Sequence, residues 1–87
     1  MEKKEALKNI NSVLEKTKDT KEIMLVLQDL LTQAELCYIW ERIEVVKLLK
    51  NGLTQREIAQ KLWISVTTVS RWNKLLSFDK KIIDKLI

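Results

Sequence analysis

The residues best suited to chemistry fall in one run, 55–72, which reads Gln55-Arg56-Glu57-Ile58-Ala59-Gln60-Lys61-Leu62-Trp63-Ile64-Ser65-Val66-Thr67-Thr68-Val69-Ser70-Arg71-Trp72. Its second half alternates small hydroxyl side chains with apolar ones. Ser65, Thr67, Thr68, Ser70 and Arg71 form the polar set, lying between the apolar positions Ile64, Val69 and Trp72 at helical spacing. Small hydroxyls let a helix sit deep in the DNA major groove and bond to phosphates and base edges. Arginine pairs with both acceptors of guanine. Upstream, Gln55, Arg56 and Lys61 suit contacts to the phosphate backbone. This is the chemistry of recognising a polyanion. Covalent catalysis is not expected, because the chain has no His, no paired nucleophile set and no Gly-rich phosphate loop.

Two elements must position these groups. A helix-turn-helix packs two helices across a short turn, and the second one reads bases while the first crosses the backbone. Ala59 supplies the small residue that lets the helices approach. Ile58, Leu62, Ile64, Val69 and Trp72 supply the apolar joint. Thr54-Gln55-Arg56-Glu57 is a capping box that opens the first helix, expected to reach Leu62. Ser65 caps the second, expected to reach Leu76, with an interruption at Ser77 to Asp79. The turn position, where Gly with positive φ is usual, holds Trp63. Three readings stand: a strained backbone, an exposed aromatic touching DNA sugar or a partner subunit, or a turn of another shape.

The rest of the chain also reads as helical. Leu7, Ile10 and Leu14 share one face of a helix over residues 2–17. Asp19 and Glu22 cap a short apolar helix over residues 20–31. Thr32-Gln33-Ala34-Glu35 opens a long helix to Lys50, in which Val45 and Leu48 widen the apolar stripe. Asn51-Gly52 ends it, with Gly52 suited to the left-handed position. Asp79 caps a last helix over residues 80–87. The expectation is an all-α chain of six helices in one domain, residues 1–87. Its parts are helices to residue 50, the helix-turn-helix over 54–76 and a C-terminal helix over 79–87.

Charge sharpens the functional reading. Residues 1–41 carry 6 Lys and 8 Asp/Glu, a balance of −2, and residues 42–87 carry 10 Lys/Arg and 4 Asp/Glu, a balance of +6. A basic half suits a polyanion. Lys74, Lys80, Lys81 and Lys85 either add phosphate contacts or form a solvated helix face. A single cysteine, Cys37, forms no intrachain disulfide and reads as an inert buried thiol. With no His there is no metal site to expect. No apolar run has membrane-spanning length, and the N-terminus is charged, so a cytoplasmic, non-membrane protein is expected. Trp40, Trp63 and Trp72 invite a base-stacking reading, but Trp40 and Trp72 lie on apolar stripes, where core packing is expected.

From about Leu30 to Leu76 the order of features resembles the tryptophan-repressor family. The matching residues are Leu31-Thr32-x-x-Glu35, Arg42-Ile43-x-Val45-Val46, Leu48-Leu49-Lys50-x-Gly52, Thr54-Gln55-Arg56-Glu57-Ile58 and Thr68-Val69-Ser70-Arg71. The resemblance implies an intertwined homodimer whose N-terminal helices, here residues 1–50, form a shared core. It implies two recognition helices about one DNA turn apart on a near-palindromic operator. Members that respond to L-tryptophan hold it between the central and recognition helices. Arg42 and Arg71 match their ligand arginines, and Thr32 matches a further ligand position. The match fails at Trp40 and Trp72, which align with glycines that make room for the indole, and at Leu75, which aligns with a small polar residue. Two large indoles leave little space there. One of them is therefore expected to fill the pocket itself, holding the reading heads without a ligand.

The function expected is a sequence-specific, double-stranded-DNA-binding transcriptional regulator of repressor type. The alternative is a helical protein-interaction module, or the DNA-binding part of a transposase or replication-initiation system.

Overall fold

The computed structural model describes residues 1–78, 83 and 85–87. Among them there are five helices and no strand: α1 (Lys3–Leu14), α2 (Thr20–Leu30), α3 (Gln33–Lys50), α4 (Gln55–Leu62) and α5 (Val66–Phe78). The expected interruption at Ser77 does not occur, since α5 continues through Ser77 to Phe78. Serine has only mediocre helix propensity, but without Pro or Gly nothing there breaks the backbone ladder. Most of the expected sixth helix lies outside the described residues. Of its positions, Ile83, Lys85 and Leu86 are helical. The chain divides into two compact units, residues 1–34 and residues 35–87.

The first unit holds α1 and α2, and neither helix has a buried residue. Asp19 caps α2 by accepting the Glu22 N–H at 2.9 Å. The Glu22 carboxylate accepts the Lys18 N–H at 2.9 Å, one residue before the position a standard capping box uses. The apolar stripes legible in the sequence are present but uncovered: Leu7, Ile10, Met24, Leu25 and Leu30 are all exposed.

The second unit contains the core. Val45 and Leu48 of α3, Ile58 and Ala59 of α4, and Val69 and Trp72 of α5 form one buried cluster, against which Leu49, Leu53, Leu62 and Ile64 pack. This is the apolar joint expected for a helix-turn-helix, including the small residue at Ala59. From α3 the cluster takes only residues near its C-terminal end. Tyr38, Ile39 and Trp40, nearer the start, are exposed. Two expectations are corrected here. Cys37 is exposed rather than a buried thiol. Trp40 is 53% exposed rather than packed in the core. The buried residues that α3 gives to the cluster with α4 and α5 lie farther along it, at Val45 and Leu48.

The end of α3 explains how α4 is aimed. Gly52 has φ +89°. Its N–H bonds to the Leu49 carbonyl at 3.0 Å, and the Leu53 N–H reaches back to the Leu48 carbonyl at 3.1 Å. That pair of bonds is the Schellman arrangement, which a left-handed residue makes possible. It turns the chain sharply and lets Leu53 pack against the core before α4 begins.

Candidate nucleic-acid interface

The first helix of the site is fixed at its start. The Thr54 hydroxyl accepts the Glu57 N–H at 3.1 Å, and the Glu57 carboxylate accepts the Thr54 N–H at 3.0 Å. This completes the expected capping box. The backbone N–H of Thr54, followed by its hydroxyl, holds the Glu57 carboxyl below the usual carboxylate range. Buried Ile58 and Ala59 then pin α4 to the core, leaving Arg56, Gln60 and Lys61 on the exposed side.

The turn is left-handed. Trp63 has φ 59° and ψ 40°, and its N–H bonds to the Ala59 carbonyl. The Ile64 N–H bonds the same carbonyl at 3.1 Å. The second helix then starts from Ser65, whose hydroxyl oxygen accepts the Thr68 N–H at 3.0 Å and lies 2.7 Å from the Thr68 hydroxyl. Ser65 is therefore the cap that its sequence position suggested. Val69 and Trp72 anchor α5 in the core, at 0% and 6% exposure.

Between these anchors, Thr67 and Arg71 are exposed, and Thr68 and Ser70 are half-buried. The Ser70 hydroxyl donates to the side-chain oxygen of Gln55. Two residues expected to contact DNA separately are thus joined to each other across the motif. This bond ties the first turn of α4 to the middle of α5. Sequence spacing alone did not reveal it, because the two residues are 15 positions apart.

Among the six candidate pocket residues, Arg42 and Trp72 are in contact. The Arg42 guanidinium carbon lies 5.7 Å from the centre of the Trp72 ring, within cation–π range. Arg71 is exposed, Trp40 is 53% exposed and Leu75 58% exposed. Thr32 belongs to the other compact unit. The face of the indole at Arg42 is Trp72's own. A separate open groove of about 720 Å³ runs beside the turn, lined by Arg56, Gln60, Trp63, Ser65 and Val66 among others. Gln60 was not singled out from the sequence, although its position four residues after Arg56 puts both on one helix face.

Two helices locked across a tight turn, with hydroxyls and an arginine on the outer side of the second, define the helix-turn-helix class. Residues 5–85 match the family described as Trp repressor protein. The chain is 33% identical over 72 residues to a Trp operon repressor homolog of Xylella fastidiosa (strain M23), covering 82% of this chain and 78% of that one. Homologs from strains Temecula1 and 9a5c of the same species match with the same identity and coverage. No solved structure matches. The chain belongs to the Trp repressor family. That is a family of transcription regulators, not of enzymes. No helix among the described residues is long and apolar enough to cross a membrane.

Proposed function

We propose that the protein is a homodimeric transcriptional repressor that reads a near-palindromic operator with residues 65–72. The observation that carries this is the division of labour on α5. Val69 and Trp72 are buried, so the helix is held rigidly. Thr67 and Arg71 are exposed on it, with Thr68 and Ser70 half-exposed beside them. Arg71 is the guanine reader, and Ser65, Thr67 and Thr68 meet base edges and phosphates. Ser70 and Gln55 act as a joined pair that sets the depth of α5 in the groove. Arg56 and Lys61 meet phosphates from α4.

A second copy of the chain is the partner that covers the apolar surfaces. Leu7, Ile10, Met24, Leu25, Leu30, Tyr38 and Ile39 are exposed across α1, α2 and the start of α3. Soluble monomers seldom leave so much apolar side chain in water. A short chain of this kind commonly gains its core by pairing. A two-fold dimer presents two copies of α5, and half-sites about one helical turn apart follow. Selection of bound duplexes from a random pool tests the reading. It is expected to return a near-palindrome with that spacing, and a single unpaired half-site would contradict it.

The relatives' name points to the trp operon, but L-tryptophan is not expected to act here as corepressor. Trp72 already places an indole under Arg42. The recognition helix is then held by an intrachain side chain in place of a ligand. Calorimetric titration with L-tryptophan is expected to give no saturable heat, and micromolar saturable binding would overturn this part of the reading.

A further inference from the structure

Two helices of the second unit end in left-handed residues, and the chain treats them differently. Gly52 ends α3 at φ +89°, where it has no side chain to strain. Trp63 ends α4 at φ 59°, and it is the one non-glycine residue with positive φ among the described residues. For an L-residue this backbone is costly. Strain of this kind persists where something outside the local backbone repays it. The left-handed turn itself serves the fold, since the Trp63 and Ile64 N–H groups bond the Ala59 carbonyl, but the choice of Trp over Gly is not repaid by packing, because Trp63 is 93% exposed. A large indole in water on a strained backbone stabilises nothing within the chain.

Its surroundings indicate what it meets. Trp63 lines the open groove with Arg56 and Gln60 from α4 and with Ser65 and Val66 at the start of α5. Among the described residues, no acidic one lines that groove. The nearby Glu57 carboxylate is turned onto the Thr54 N–H. The groove therefore carries positive charge, hydrogen-bond donors and one flat apolar ring. It continues directly into the helix assigned to base reading. An indole offers an apolar face and a single N–H donor. A deoxyribose followed by its phosphate offers the complementary apolar face and acceptor.

We infer that Trp63 is a DNA-backbone contact, packing its ring on a deoxyribose and donating its indole N–H to the adjoining phosphate beside α5. This rests on the DNA-binding reading given above. Because sugar and phosphate are the same in every sequence, Trp63 adds affinity and orientation and not base preference. Being uncharged, it adds nothing to counterion release.

The test compares the full-length wild type with Trp63→Gly and Trp63→Phe. The Gly variant relieves the left-handed backbone, so its unfolding midpoint is expected to rise by about 4 °C or more. Its affinity for duplex DNA is expected to fall about three- to tenfold, the loss fitting one hydrogen bond and one apolar contact. The loss is equal for selected and random duplexes, and the salt slope is unchanged. Trp63→Phe keeps the ring face without the N–H and falls between the two. A Gly variant that is more stable yet binds DNA like wild type overturns the inference and leaves the DNA-binding reading intact. A Gly variant that is less stable removes the premise that the Trp63 side chain contributes nothing to the fold, and overturns the inference. A change in the variant's dimer mass at the assay concentration assigns Trp63 to a subunit contact and overturns it too. If the wild type itself binds no duplex, the parent reading and the inference fail together.

Discussion

Replacing Trp72 by Ala tests the joint that aims the recognition helix. Trp72 is 6% exposed and packs in one cluster with Val45, Leu48, Ile58, Ala59 and Val69. A buried aromatic removes about 200 Å² from water. At about 25 cal/mol per Å² this amounts to about 5 kcal/mol as an upper figure. Measured truncations of buried Trp and Phe to Ala fall at about 3–5 kcal/mol. That is a large part of the roughly 5–15 kcal/mol that holds a typical domain together. Arg42 adds a smaller amount, about 0.5–1 kcal/mol, because it is exposed and its guanidinium only caps the ring. Urea unfolding followed by circular dichroism, at one fixed protein concentration, separates the two effects. Trp72→Ala is expected to lose about 3–5 kcal/mol and Arg42→Ala about 0.5–1. In the double variant the Arg42 loss should vanish, because its partner ring is gone. A Trp72→Ala loss under about 1 kcal/mol would refute the reasoning, since no fully packed indole is that cheap to remove.

Further outcomes follow from the same geometry. Thr54→Ala removes the hydroxyl that accepts the Glu57 N–H, and the unfolding free energy should fall by about 1 kcal/mol. An unshifted midpoint would show that this cap contributes nothing. Glu57 has its carboxyl held below its ordinary value of 4.5 in the folded chain. Its contribution is therefore present above that value and is lost as the pH falls through the lower folded one. The stability of Glu57→Gln should vary less than that of wild type between pH 7 and pH 3, as thermal melts at both will show. Arg71→Ala should cost about 1–3 kcal/mol in specific DNA binding and relax preference at one base position. An equal loss on random duplexes would make Arg71 a phosphate contact instead.

Much of the site was legible because local chemistry and local structure coincide there. Thr54 and Glu57 sit three apart and form the box. Gly52 turns where a left-handed residue was needed, and Ser65 caps where a short polar residue stood before a helical pattern. Ile58, Ala59, Leu62, Ile64, Val69 and Trp72 form the joint because helical periodicity fixes which side each faces. What the sequence left open depends on contacts between distant residues. Trp40 and Trp72 both lie on apolar stripes, yet Trp72 is buried in the cluster while Trp40 is half exposed. Cys37, expected as a buried thiol from its residue type, is exposed near the start of α3, while the buried α3 residues of the cluster are Val45 and Leu48. The Ser70–Gln55 bond and the Arg42–Trp72 stack join separate helices, so no local spacing announces them. The turn at Trp63 was open among three readings, and the backbone there is left-handed with the indole exposed.

The central claim is that α4 and α5 present a surface for duplex DNA. Equilibrium binding to a labelled duplex between about 50 and 200 mM salt tests it most directly. Binding is expected without any added small molecule. A linear fall of log affinity with log salt, of several units, is expected if Arg56 and Lys61 meet phosphates in both copies of the proposed dimer. No binding, or binding with a flat salt response, would contradict it and make the exposed surface of this fold a protein-docking face.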